Sequence, residues 1–176
     1  MEDACKRSLA DLGLDYLDLY LIHFPISLRY VPFDVRYPPG WVPDPDISDS
    51  MEFAPVPISE TWRAMEKLVD KGLVRNIGLS NWNSQGLRDI FSFARIKPSV
   101  LQVSEELYFQ RKVKYDFKIE IHPYLQNTRL IEYAHSLGMA VTAFSPLGQG
   151  QSYARLGHGN ISALKDDVIV NIAERL

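Results

Sequence analysis

A chain of 176 residues with 46% hydrophobic content and a formal charge of −3 has the length and apolar fraction of one globular domain with a sizeable core. Acidic and basic residues are interspersed, which gives no electrostatic reason to expect nucleic acid or an anionic membrane as a partner. A single cysteine, Cys5, forms no intramolecular disulfide, no Cys/His spacing suits zinc, and no apolar run is long enough to cross a bilayer; the charged start MEDACKRSLADLG lacks a signal-peptide core, so the cytoplasm is the expected compartment.

Cys5, Ser8, Leu9 and Leu12 share one helical face, and Gly13 is placed to close that helix. Tyr16 to Ile22 is too short and too apolar for a surface helix and reads as a parallel strand covered on both faces. It delivers His23 and Phe24 and stops at Pro25. From Phe24 to Pro57 prolines recur among Tyr30, Phe33, Tyr37 and Trp41, which predicts a long irregular loop whose aromatic residues pack over something. Thr61 to Asp70 is an amphipathic helix, with Trp62, Met65, Leu68 and Val69 on one face. Val74 to Leu79 is a strand ending at Ser80 and Asn81, and Leu87 to Ala94 is the next helix. Ser99 to Gln102 is a strand, Leu130 to Leu137 a helix closed by Gly138, and Met139 to Phe144 a strand ending at Ser145 and Pro146. This βαβαβαβ alternation implies a parallel sheet with right-handed crossovers. Periodicity leaves two architectures open, a doubly wound sheet and a barrel.

In a parallel sheet, residues at the C-terminal strand ends converge on one face, where α/β proteins place their chemistry. His23, Ser80, Asn81, Gln102 and Phe144 meet that description, although each has a plain structural alternative. A strand-end histidine often serves only as a hydrogen-bonding group, Ser80 and Asn81 could cap the helix that follows, and Phe144 could be core. Neither a Gly-x-Gly-x-x-Gly run nor a Walker loop is present to cradle phosphates. Asp44, Asp46 and Asp49 lack the glycine and glutamate of a calcium loop, and no metal site is expected. His122, beside Pro123, reads as structural, and His135 and His158 carry no assigned role.

Taken in order, the runs LADLGLDYLDLYLIHFP (9–25), YVPFDVRYPPG (30–40), NIGLSNW (76–82), IKPSVLQ (96–102), IEIHPYLQ (119–126) and AVTAFSP (140–146) resemble the aldo-keto reductases. The proline-rich loop pulls the resemblance toward the fungal xylose reductase branch. The resemblance implies part of a (β/α)₈ TIM barrel, about strands four to seven with their helices, as a single partial domain over 1–176. It also implies NADPH or NADH as cofactor and a small-molecule carbonyl substrate, an aldehyde or an aldose such as xylose. His23 matches the histidine that orients the substrate carbonyl. Ser80, Asn81 and Gln102 match the residues that hold the nicotinamide carboxamide, with Ser145 also on the cofactor side. Phe144 stands where the family usually has a ring-stacking tyrosine and keeps its aromatic face, while Phe24 would line the substrate pocket.

Three departures bear on activity. In this family the proton-donating tyrosine, and the lysine and aspartate that tune it, precede the histidine strand. Only Met1 to Ile22 precede His23 here, so the resemblance leaves no residue of this chain in those roles. General acid catalysis is worth about 10²- to 10⁴-fold, and the chain alone is therefore expected to be inactive. The basic segment that binds the adenosine 2′-phosphate is likewise unmatched, and the chain stops at Leu176 within a helical pattern. Third, residues 103–118 interrupt the family pattern between Gln102 and Ile119. Val113, Tyr115, Phe117 and Ile119 alternate like an amphipathic strand, which suits an inserted hairpin-like loop, whereas Val103-Ser104 at the start and Lys118 at the end suit a translated intron of 16 codons. A fragment or faulty gene model of a reductase, a non-catalytic binding module acting through a partner or a homodimer, and a pseudogene product remain as readings.

Overall fold

A computed structural model describes residues 1–38, 40–44, 46–47, 50–103, 126–144, 146–147 and 163–175. Helix α1 (Glu2–Leu12) ends where Gly13 takes a left-handed conformation, φ 65°, and its N–H donates back to Ala10 O. Strand β1 (Leu17–Ile22) follows, then the proline-rich segment, α2 (Ile58–Asp70), β2 (Val74–Ser80), α3 (Ser84–Phe93) and β3 (Val100–Val103). Beyond residue 125 come α4 (Thr128–Ser136), β4 (Ala140–Ala143), a 3₁₀ turn (Ala163–Lys165) and α5 (Asp167–Ala173).

The four strands form one parallel sheet in the order β1-β2-β3-β4. Sequential order decides between the two architectures left open by periodicity. A doubly wound sheet reverses direction at a switch point and puts helices on both faces, whereas repeated right-handed crossovers in one direction put every helix on the same face. Here α1 touches α2, α2 touches α3 and α3 touches α4. The result is a helical layer of α1 to α4 outside a barrel arc of four strands.

Between the layers lies the core. Trp62, Met65 and Leu68 from α2, Leu87 and Ile90 from α3, and Cys5 and Leu9 from α1 pack on Ile77, Leu79 and Leu101 of the sheet. The other sheet face is more open, since Leu19 on it keeps 36% of its surface exposed. Thus β1 is not covered on both faces as its apolar run suggests. Gly78 sits on this inner face, where a Cβ would come within 2.7 Å of both Val100 O and Leu21 Cδ2.

Several ends move relative to the sequence reading. Helix α2 begins three residues early because Pro57, with φ −61°, already presets the entry to the helix. Helix α3 starts at Ser84 because Asn83 caps it, its side chain accepting from Gly86 N at 2.8 Å; Ser80 and Asn81 are not the caps. Helix α5 ends at Ala173, with Glu174 as its cap, rather than running into the terminus. Val103 is the last residue of β3, paired with Ala143. The strand pattern at 113–119, His122, Ser145 and His158 lie outside the described residues.

Candidate active site

Strand register brings the candidates together. Ile22 pairs with Leu79, Leu79 with Leu101, Ser80 with Gln102 and Gln102 with Thr142. One step beyond Ile22, His23 therefore joins Ser80, Gln102 and Thr142 in a single row across the four strand ends. Phe144 stands one residue past β4 at the same edge and keeps 39% of its surface exposed.

A hydrogen-bonded network ties three of these ends together. Asn81 adopts φ 64°, a left-handed conformation that asparagine tolerates better than most residues. This turns the chain at the end of β2, so that Asn81 N donates to Gln102 O at 3.1 Å. Its side-chain Nδ2 donates to His23 O at 2.7 Å and meets Ser80 Oγ at 3.1 Å. Ser80 Oγ in turn lies 3.5 Å from Gln102 Oε1. Ser80 and Asn81 are buried. The next residue, Trp82, is buried against Gly86 of α3, where a Cβ would approach its ring to 2.7 Å.

His23 itself is more open. Partial burial pushes its imidazole below the ordinary value of 6.5, so the neutral form, with one N–H donor and one acceptor nitrogen, dominates at neutral pH. Its ring lies 4.3 Å from that of Phe24, tilted by 34°, and 6.2 Å from that of Trp41. Phe24 and Trp41 meet edge to face at 5.0 Å. Chemically the edge offers a neutral imidazole against an aromatic wall, next to hydroxyl and amide groups that bear no charge. Such groups complement a carbonyl oxygen on one side and a primary amide on the other. Among the described residues no group of three or more His, Cys, Asp or Glu side chains is placed to hold a metal ion.

Sequence reading passed over two members of this edge. Thr142 is visible only through register, and its sole signal is its place two residues before Phe144. Trp41 lies 18 positions from His23, and only the loop's path brings them together. A separate shallow cleft of about 400 Å³ lies within the proline-rich segment, lined by residues that include Arg29, Tyr30, Val35 and Glu52. None of the strand-end residues lines it.

Four parallel strands in sequential order, with His23, Ser80, Gln102 and Thr142 in one row at their C-terminal ends, define an arc of a β/α barrel. The aldo/keto reductase family model matches residues 1–156, and the chain belongs to that family. It is 49% identical over 148 residues to a probable NAD(P)H-dependent D-xylose reductase of Aspergillus clavatus, an alignment covering 84% of this chain and 39% of that protein. To the NADPH-dependent D-xylose reductase of Meyerozyma guilliermondii it is 44% identical over 179 aligned positions, covering 99% of this chain and 50% of that one. The solved aldose reductase of Schistosoma japonicum superposes with a TM-score of 0.70 at 36% identity, covering 99% of this chain and 46% of that chain. The chain thus spans about half, or less, of the length of the relatives it matches. Among the described residues no helix is long and apolar enough to cross a membrane.

Proposed function

We propose that these residues form the histidine and nicotinamide side of an NAD(P)H-dependent reductase that converts an aldehyde or aldose, with xylose the first candidate, to the alcohol. The observation that carries this reading is the layer of His23, Ser80, Asn81 and Gln102 at one sheet edge, combined with membership of the family. Ser80, Asn81 and Gln102 fit a nicotinamide carboxamide because they are uncharged, mutually hydrogen-bonded, and include both donors and acceptors. When bound, the cofactor supplies a hydride. His23, neutral through partial burial, donates a hydrogen bond to the substrate carbonyl oxygen and fixes its orientation, while Phe24 excludes water from one side. Phe144 offers an aromatic face to the nicotinamide ring, and Ser145, beside it in sequence, is assigned to the cofactor.

Residues 1–176 include no tyrosine that matches the family's proton donor, so the chain by itself is expected to bind without turnover. The inferred compartment is the cytoplasm, consistent with one buried cysteine and no disulfide. A second copy of the chain is the proposed occupant of the open sheet edges, and sedimentation of the folded chain as a monomer would refute it. Residues 103–118 we take to be translated intron, a reading that fails if most mature transcript carries the segment.

The functional test is titration of the purified chain with NADPH and NADH, following tryptophan emission, together with genomic sequence on both sides of residues 1–176. Saturable binding weakened in Asn81→Ala, and in-frame exons carrying the tyrosine and lysine, are expected. Absence of binding to either nucleotide would overturn the assignment of this edge. Oxidation of NADPH with xylose at an ordinary enzymatic rate by residues 1–176 alone would overturn the account of the proton donor.

A further inference from the structure

The proline-rich segment is fastened at its base and again farther out. At the base Arg29 N donates to Glu52 O and Ala54 N to Ser27 O, each at 2.8 Å, around a Leu28–Phe53 bridge, with an Arg29–Glu52 ion pair at 2.9 Å. Farther out the Tyr37 hydroxyl donates to the Asp11 carboxylate of α1. Arg7, one helical turn earlier, places its guanidinium 4.1 Å from the centroid of the Tyr37 ring and donates to Asp11 Oδ1 at 2.9 Å. Both contacts to Tyr37 come from the outer surface of a helix.

Tyr37 and Trp41 belong to one tied turn. Arg36 Nη1 donates to Val42 O at 2.5 Å, closing the turn from one side of this pair to the other. Gly40 lies directly against that guanidinium, since a Cβ there would come within 2.0 Å of Arg36 Nη2. That hydrogen bond brackets both Tyr37 and Trp41, and so offers a link from what holds the one to the placement of the other. Trp41 is the residue packed edge to face on Phe24 beside His23.

We propose that Arg7 and Asp11 are positioning residues for the candidate active site: by clasping Tyr37 they hold the turn between Arg36 and Val42 so that Trp41 forms a wall beside His23 and Phe24. The clasp links a solvent-facing pair on α1 to the aromatic surface that a carbonyl substrate would meet. Its meaning for substrate rests on the reductase reading, but the clasp can be tested without turnover, so failure of one is distinguishable from failure of the other.

The chain's three tryptophans make the test selective. Trp62 and Trp82 are buried, at 0% and 4% exposure, while Trp41 is 44% exposed, so iodide quenching reports chiefly on Trp41. Tyr37→Phe and Asp11→Asn are each expected to raise the quenching constant about twofold, as expected for a locally released segment. In the same variants the His23 ring resonance, assigned with His23→Asn, should titrate closer to 6.5. Gly40→Ala should produce the same two changes without touching α1. Wild-type quenching and an unchanged His23 titration in Tyr37→Phe and Asp11→Asn, with an unchanged far-UV spectrum, would overturn the clasp. An unaltered Gly40→Ala would overturn the coupling through the turn.

Discussion

Removing the carboxylate of Glu66 should uncouple two helices at the end of the arc opposite the candidate site. Glu66 is 6% exposed, and its Oε1 accepts from Arg95 N at 2.7 Å and Ile96 N at 2.9 Å. These amides begin the link from α3 to β3, the same link whose Ile96 carbonyl accepts from Trp62 Nε1 at 3.0 Å. Hydrogen bonds to a charged acceptor contribute about 1.5–3 kcal/mol each, and orphaned buried donors cost about 1–3 kcal/mol. Allowing for water that enters the space left by alanine, Glu66→Ala should cost about 3 kcal/mol, whereas Glu66→Gln, which keeps an oxygen acceptor, should cost about half of that. Urea unfolding followed by circular dichroism should show the alanine midpoint lowered by about 1–2 M, given a slope near 2 kcal/mol per molar. Hydrogen exchange gives the local reading, with Arg95 and Ile96 amides exchanging about 100-fold faster in the alanine variant. An unfolding free energy of the alanine variant within about 0.5 kcal/mol of wild type, or unchanged protection of both amides, would refute the reasoning. So would a glutamine variant as unstable as alanine.

Gly78→Ala should destabilise the sheet by about 1–3 kcal/mol, because the new methyl meets the backbone carbonyl of Val100; thermal unfolding measures it, and a neutral result would mean the two strands part freely. Asn83→Ala should cost about 1 kcal/mol through the lost cap on Gly86 N, read as a lower urea midpoint. For His23, the folded value lies below 6.5, so the unfolded chain takes up the proton first. Its contribution to stability is fully present above pH 6.5 and is lost as the pH falls through the folded value. Unfolding free energies at pH 7 and 5 should therefore differ more in the wild type than in His23→Asn, and equal slopes would contradict the burial effect.

Much of the fold was legible because apolar period and punctuation agree. Gly13 and Gly138 both take positive φ at the ends of helices, and each marked a boundary in the sequence. Element ends were harder where a cap competes with a propensity. Asn83 was overlooked as the start of α3 because Ser80 and Asn81 offered the same side-chain chemistry, and only the left-handed turn at Asn81 separates strand end from helix start. Register supplied what no local pattern contains: it placed Thr142 in the row with Gln102. Glu66 reads as one more polar residue on an amphipathic helix, and its burial follows from the neighbouring link folding back onto it. Trp41 joined His23 through the closed base of the proline-rich segment, a long-range contact that neither residue announces.

Asn81 has a further meaning for how this edge can be altered. Its Nδ2 holds the main-chain oxygen of His23, while its backbone and its neighbour Ser80 reach Gln102. Anything that pulls on the amide of residue 81 is thus transmitted to the peptide carrying the imidazole, and any shift of that peptide is returned in kind. Where both proposed sites draw on this residue, any coupling between them is reciprocal, each ligand changing the other's affinity by the same factor. On the proposed reading, a substitution at position 81 that loosens the nicotinamide side is expected to disturb the placement of His23 as well.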